Sequence, residues 1–365
     1  MKIKLYDLIG TKSGMNFYLE AFCKLLEDND IETDIISNFG YKGKRQQLPN
    51  IFEKSVIKKC INLLTCYIKL IFAILKLKKN EYIVVLLYGV VLDIPLFFLA
   101  KLSKKVVLDV HETMALDYKN KIFRKILHYF YKTCSSKIIV HSDKIRNILT
   151  GLSQKATIIC VPLFPNYNDA RYNTNNIGED VINSFENKNA KYFLFFGNVR
   201  PSKGVFELLR ASELLDNEDV RIIIAGQDIF DNIKEYTRAR NLNKAVKTVL
   251  RLINDDEMKY FFAKSHAALL PYTSISQSGV LQTAVSLRVP MLTSDIDYFK
   301  QEINNFPSFG KCTNITDPVA FKNSLLDFAN EVSEKKFYNK TDVDRYYHNE
   351  IFETFVQQLK EILGH

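Results

Sequence analysis

Short apolar runs of strand length alternate with longer, helically periodic stretches along the whole chain. In the first half, runs rich in Ile, Val, Leu and Tyr at 3–9, 31–37, 82–88, 105–110, 137–140 and 157–161 predict strands, with helical patterns between them. The pattern restarts with runs at 192–196, 220–225, 246–250, 267–270 and 291–293, each followed by a helical stretch. Continuous apolar strands alternating with helices predict parallel sheets covered on both faces, the α/β class. Two doubly wound, Rossmann-like domains facing each other across a cleft follow, with ligand crevices outside the carboxyl ends of the strands. Residues 166–190 are rich in Asn, Asp and Tyr and lose apolar periodicity. They predict a linker between an amino-terminal domain over 1–165 and a second domain over 191–340. Residues 341–365 read as a closing helical segment.

Two polar loops in the second half carry the densest candidate chemistry. The first, from Gly197 through Arg200 and Lys203 to Gly204, joins an apolar strand to a helix. The second, from Pro271 and Tyr272 through Gln277, Ser278 and Gly279 to Val280, ends a strand and opens another helix. A helix start offers unpaired amides and the positive end of a dipole, so a phosphate gains hydrogen bonds and charge complementarity together. Gly279 lets a ligand approach the backbone. Arg200 offers a planar fork to phosphate oxygens, and Lys203 adds a point charge. Either residue alone reads equally well as a solvated loop charge. Together with the second loop they predict a diphosphate site.

With Gly197, Arg200, Lys203, Gly204, Pro271, Tyr272, Ser278, Gly279, Ala284 and Pro290 at these spacings, the second half resembles the carboxy-terminal half of the retaining GT-B glycosyltransferases of family four. Most members carry two Glu residues eight positions apart across this loop and helix; the matching positions here are Ile275 and Thr283, and neither is acidic. In this respect the chain is similar to a subgroup with a Gln-Ser-Gly-Val loop, here Gln277 to Val280.

The resemblance implies a nucleotide diphosphate sugar as donor. Its diphosphate would be held by Arg200, Lys203, Gln277, Ser278, Gly279 and Val280, and faced from the first domain by Gly10 and Gly14. The nucleotide would lie beside Gly197, Gly226, Ile253 and Thr283. His111, after the strand 105–110, would stand near the reacting sugar, and the segment 341–365 would pack back toward the first domain. His111, Arg200 and Lys203 are the catalytic candidates. Charge growing on the leaving diphosphate would meet Arg200, Lys203 and the loop amides. The chemistry implied needs no metal or other cofactor.

The acceptor implied is a growing, lipid-linked surface polysaccharide of capsule, exopolysaccharide or O-antigen type, which receives a hexose-type sugar with retention. The location implied is cytoplasmic, peripheral on the inner face of the membrane. Two rivals stay open: a GT-B nucleotide-sugar epimerase, and a non-catalytic sugar-nucleotide binder or scaffold subunit of a glycan-assembly complex. The second is motivated by Ile275 and Thr283 in place of acids.

The remaining candidates are blander. The segment Gly10 to Gly14 sits where a Rossmann protein has its phosphate loop, but it is not GxGxxG and no acid closes the second strand, which argues against a dinucleotide-dependent dehydrogenase. His141 and His266 at strand ends, and His128 in a helical run, read as structural, without metal-ligand spacing. Asp295 and Asp297 spell an acidic pair of the kind that metal-dependent GT-A enzymes use, yet they open a helix, where Asp serves as a cap. The run Asn254 to Glu257 likewise reads as a cap and acidic first turn.

At 365 residues, 47% hydrophobic and 25% charged, the composition fits two globular domains. Six cysteines without a CxxC pair point to a reducing compartment. The amino terminus reads as a first strand and not as a secretory signal. The longest apolar stretch, 61–77, contains Lys69 and Lys76 and falls short of a membrane span. The formal charge of +9 is uneven: ten Lys and Arg residues fall in 42–79, interleaved with Ile, Leu, Phe and Tyr. That pattern suits an anionic membrane surface and reads equally as a solvated helix face. Nucleic acid is a weaker partner, because no helix-turn-helix, RNA-binding signature or zinc finger accompanies the charge.

Overall fold

A computed structural model of the chain describes residues 1–10, 15–111, 121–134, 136–153, 155–165, 170–215, 219–228, 233–275, 277–334 and 336–364. The first half runs β1 (Lys2–Tyr6), α1 (Met15–Glu27), β2 (Glu32–Ile36), α2 (Val56–Leu75), β3 (Glu81–Leu87), α3 (Asp93–Ala100), β4 (Val106–Val110), α4 (Lys121–Thr133), β5 (Lys137–Val140), α5 (Asp143–Leu152) and β6 (Thr157–Cys160). The second half runs α6 (Glu179–Ile182), β7 (Lys191–Phe196), α7 (Val205–Ser212), β8 (Val220–Ala225), α8 (Ile233–Ala239), β9 (Val246–Val249), α9 (Asp255–Lys264), β10 (Ala267–Leu270), α10 (Gly279–Ser286), β11 (Met291–Ser294), α11 (Asp297–Asn305), β12 (Gly310–Thr313), α12 (Pro318–Glu334) and α13 (Lys340–Tyr347). A last helix, α14 (Glu350–Leu363), closes the chain.

Each half forms one parallel six-stranded sheet, in the orders β2-β1-β3-β4-β5-β6 and β12-β11-β10-β7-β8-β9. Strand alternation explains why the apolar runs are continuous. On β3, Ile83, Val85 and Leu87 enter a core with α2, α3 and α4, while Tyr82, Val84 and Leu86 enter another with α1 and α14. In both sheets the direction of winding reverses beside the first strand of the half, between β1 and β3 and between β7 and β10. Such switch points leave a crevice at the carboxyl ends of the strands.

The chain divides into two compact units, 1–166 with 349–365, and 167–348. The expected linker 166–190 is, in its described part, folded onto the second unit. Asp180 pairs with Arg251 at 2.8 Å, the Gly178 amide donates to Glu257 at 3.1 Å, and Val181 is fully buried. Its Asn and Asp residues find partners on the loop before α9, which their polarity alone did not announce. The closing segment also divides later than 341. α13 stays with the second unit, where Tyr346 packs on Phe306 and Phe309 and bonds Gln282. α14 buries Phe352, Phe355, Val356, Leu359 and Leu363 in the first unit. Strand β12 has no counterpart in the sequence pattern. Asp297 stands in the first turn of α11 and not at its cap, which is Ile296. Asn254 and Glu257 form a reciprocal capping box at α9.

Candidate active site

In the second unit the loops after β7 and β10 meet at the switch point. The Thr273 amide and hydroxyl both donate to the Ser202 carbonyl, at 3.1 and 3.3 Å. Gly204, at φ +66°, permits a closer approach still: a Cβ there would lie 1.6 Å from the Pro271 carbonyl oxygen. Gly197 follows β7 at φ +100°, and a Cβ there would lie 3.0 Å from Lys203 Nζ and 3.6 Å from Val280 Cγ2. The bare glycine thus makes room for the Lys203 ammonium beside the first turn of α10. The same ammonium lies 5.0 Å from the centre of the Tyr272 ring.

Ser278 caps α10, its hydroxyl accepting from the Leu281 amide at 3.2 Å. The amides of Gly279 and Val280 have no acceptor within the helix. Space is open in front of Gly279, where an added Cβ would meet nothing within 4 Å. Neither Arg200 nor Lys203 is paired with a carboxylate among the described residues. Arg200 Nε and the Tyr272 hydroxyl are buried and bonded to nothing among them. Unmet buried donors, two cations without carboxylate partners and a free helix start on the two loops at this switch point fit an anion site.

The other expected nucleotide contacts lie along the same strand ends. Gly226 follows β8 and abuts the Gly197 carbonyl. Ile253 is half-buried on the loop after β9, which Arg251 braces through Asp180 at 2.8 Å and Glu257 at 2.6 Å. Gln277 is half-buried before the cap. Thr283 turns its hydroxyl back onto the Gly279 carbonyl at 3.0 Å. Glu302 on α11 is a carboxyl that burial pushes up to about 7. Asp295 pairs with Lys300 at 3.8 Å.

In the first unit, Asp7 organises the switch point. Fully buried, it accepts the amides of Ile9 and Gly10 at 2.9 and 2.7 Å and the Tyr88 hydroxyl at 2.7 Å. Burial pushes its carboxyl up, against the pull of these hydrogen bonds. Gly10 packs on Asn38 at φ +64°, and Gly14 and Glu112 lie outside the described residues.

His111 was expected to stand near the reacting sugar. Its ring is 4% exposed, stacked 4.7 Å from His141 and met edge-on by Tyr18 at 4.5 Å, with Tyr88 stacked at 5.9 Å. Asp109 sits at the centre. It accepts the Tyr18 hydroxyl at 2.6 Å and contacts His141 Nε2 at 2.8 Å and His111 Nε2 at 3.4 Å. Burial would raise this carboxyl, but the charges of and hydrogen bonds from His111 and His141 outweigh it and hold it well below the usual carboxylate range. Burial lowers His111, with Asp109 opposing. Sequence spacing showed no ligand pattern, yet Asp109, His111 and His141 bring three potential ligand atoms within 4.8 Å of one another. Both ring nitrogens of His141 are already engaged, Nδ1 with the Val161 carbonyl at 3.0 Å and Nε2 with Asp109 at 2.8 Å. The group therefore reads as a hydrogen-bonded frame behind His111. Asp109 was a possible partner of His111 in the sequence and Tyr272 part of the second polar loop, whereas Tyr18 was not singled out and His141 was read as structural.

Residues 177–341, which hold every expected site residue of the second unit, match the family described as glycosyl transferases group 1. Among solved structures the chain is similar to a sucrose-phosphate synthase from Thermosynechococcus elongatus, at 13% identity over 99% of both chains with a TM-score of 0.69. It is similar also to Anabaena HepE in complex with UDP, at 13% identity over 99% of this chain and 100% of that one, TM-score 0.62. WaaG, a glycosyltransferase involved in lipopolysaccharide biosynthesis, gives 12% identity over 100% of both chains, TM-score 0.62. The chain has the GT-B fold. Near-complete coverage of both partners extends that likeness over both units, beyond the segment that the family match spans. No curated protein matched the sequence. The GT-B likeness, at these identities, concerns architecture, and the chemistry rests on the crevice itself. Among the described residues no helix is long and apolar enough to cross a membrane.

Proposed function

We propose that the protein is a retaining glycosyltransferase that moves a hexose-type sugar from a nucleotide diphosphate sugar to a growing, lipid-linked surface polysaccharide. One observation carries the reading: Lys203, without a carboxylate partner among the described residues, stands beside the open first turn of α10 at the switch point, and Arg200, on the same loop, keeps a buried Nε with no partner among them. The glycosyl transferases group 1 match over 177–341 and the UDP bound in HepE support a nucleotide donor. WaaG's part in lipopolysaccharide biosynthesis supports a glycan acceptor of that kind.

The hard step is departure of the diphosphate as the anomeric carbon gains positive character. Arg200, Lys203 and the amides of Gly279 and Val280 meet the charge that grows on the leaving oxygens. Because they are in place before reaction, little reorganisation opposes the step. Their two positive charges supply the compensation that a cation would otherwise give, so transfer is proposed to be metal-independent. The acceptor hydroxyl passes its proton to the departing phosphate on the same face of the sugar, which preserves the configuration. His111, held by Asp109, is the residue proposed to contact that sugar.

The test is release of nucleoside diphosphate from a panel of nucleotide sugars, with and without lipid-linked glycan, in a chelator. Acceptor-dependent release with retained anomeric configuration is expected. Free sugar without acceptor would instead support an epimerase, and binding without release would support a non-catalytic subunit. Thr283, its hydroxyl engaged inside α10 where most relatives have Glu, is the observation that keeps the last alternative in view.

A further inference from the structure

The outer face of α2 is apolar where a solvent-facing helix is ordinarily polar. Val56, Ile57, Ile61, Leu64, Ile68, Phe72 and Leu75 are each 42 to 72% exposed. From Ile57 to Leu75 they recur at three- and four-residue steps, so six of them form one stripe along a helix roughly 30 Å long. The opposite face is already used: Cys66, Leu70 and Ile74 are buried in the core. The helix is thus apolar on two sides, and folding satisfies only one.

Charge decides what covers the other. α2 has no acidic residue; Lys58, Lys69 and Lys76 follow one border of the stripe, and Lys54, Lys59, Lys78 and Lys79 surround its ends. Lys69 donates to the Gln47 carbonyl, which leaves its charge uncompensated. α3 and α4 share this layer of the core, and on or just beyond them Phe98, Leu102, Ile122 and Tyr129 are exposed by 55 to 68%. Residues 94–108 and 121–142 contain no Asp or Glu. An apolar stripe bordered by ammonium groups complements an anionic bilayer, with the stripe at the acyl boundary and the lysines among the headgroups. A second copy would bring two lysine borders together and be repelled.

We propose that the exposed stripe of α2, continued by the outer residues of α3 and α4, docks the protein in plane on anionic lipid. The proposal stands apart from the donor site, because α2 belongs to the first unit and Lys203 to the second. Nucleoside diphosphate binding, read on the same samples, separates failure of one from failure of the other.

The experiment is co-sedimentation of the full chain with vesicles of phosphatidylcholine alone or with about 30 mol% phosphatidylglycerol, at low and high salt. Wild type is expected to pellet with anionic vesicles at least ten-fold more strongly than with neutral ones. Leu64→Asp with Ile68→Asp should abolish the preference, and Lys58→Gln, Lys69→Gln and Lys76→Gln should each weaken it about five-fold. Both positions of the first variant are exposed, so an unchanged Tm is expected and certifies its fold. Wild type left in the supernatant, or variants that pellet like wild type, would overturn the proposal. So would a dimer that Leu64→Asp dissociates without any vesicle binding, which would give the face to a second copy.

Discussion

Thr273 donates to the Ser202 carbonyl through both its amide and its hydroxyl, at 3.1 and 3.3 Å. Two loops about seventy residues apart in sequence are therefore locked together without a ligand, and Lys203 and the start of α10 are held in register. A site fixed in this way loses less entropy on binding than one that must assemble around its anion.

Arg200 has a buried Nε with no partner among the described residues, so its removal should reveal a ligand role and not a structural one. Arg200→Ala is expected to weaken nucleoside diphosphate binding about 10- to 100-fold, the worth of hydrogen bonds to a charged group. The ligand-free Tm should hold or rise. Arg200→Lys, which keeps the charge and loses the fork, should recover only part of the affinity by calorimetric titration.

Gly204 cannot carry a side chain without pushing the two loops apart, since its Cβ would lie 1.6 Å from the Pro271 oxygen. Gly204→Ala is expected to cost more than about 2 kcal/mol through strain at positive φ and backbone displacement. A thermal melt should show a fall of about 4–8 °C, with loss of diphosphate binding.

Acid stability should follow Asp109. A carboxyl held below its ordinary range stabilises the fold above the unfolded value near 3.9, and that stability is lost as pH falls through the folded value. Tyr18→Phe removes the 2.6 Å donor, so the acid limb of the Tm profile should move to higher pH. At neutral pH the same change should cost about 1.5–3 kcal/mol. An unmoved acid limb would show that Tyr18 does not hold the carboxylate.

Glu302 should act in the opposite sense. Its folded value near 7 exceeds the unfolded one, so the folded chain binds more protons and stability falls as pH rises toward 7. Glu302→Gln is expected to leave stability at pH 5 nearly unchanged and to raise it at pH 8. Parallel Tm profiles for wild type and variant would contradict this.

The repeating α/β pattern was legible because β3, β4, β7 and β8 are nearly continuous apolar runs, and the two loops proposed to hold the diphosphate stood out because their glycines and cations are local. β12 was not: Gly310–Thr313 has one buried residue in four and no apolar run, and it is paired only through β11. The frame around His111 was hidden for another reason. Tyr18 lies 91 residues from Asp109, and His141 is 32 residues beyond it. The β4–β5 register, with Asp109 opposite Ile139, brings His141 to Asp109, and Tyr18 reaches them from α1. His111 is buried by Tyr18 and Tyr88 as well as by His141, partners that its own strand does not reveal. The double apolar face of α2 showed as composition, but which side the core takes depends on β3 and α3.

The most direct measurement is calorimetric titration of wild type and Lys203→Ala with uridine, guanosine, adenosine, cytidine and thymidine diphosphates. One diphosphate is expected to bind wild type in the micromolar range and to lose about ten-fold or more in affinity in Lys203→Ala. Equal affinity in both proteins, or no binding of any diphosphate to wild type, would contradict a donor site at the β7–β10 switch point.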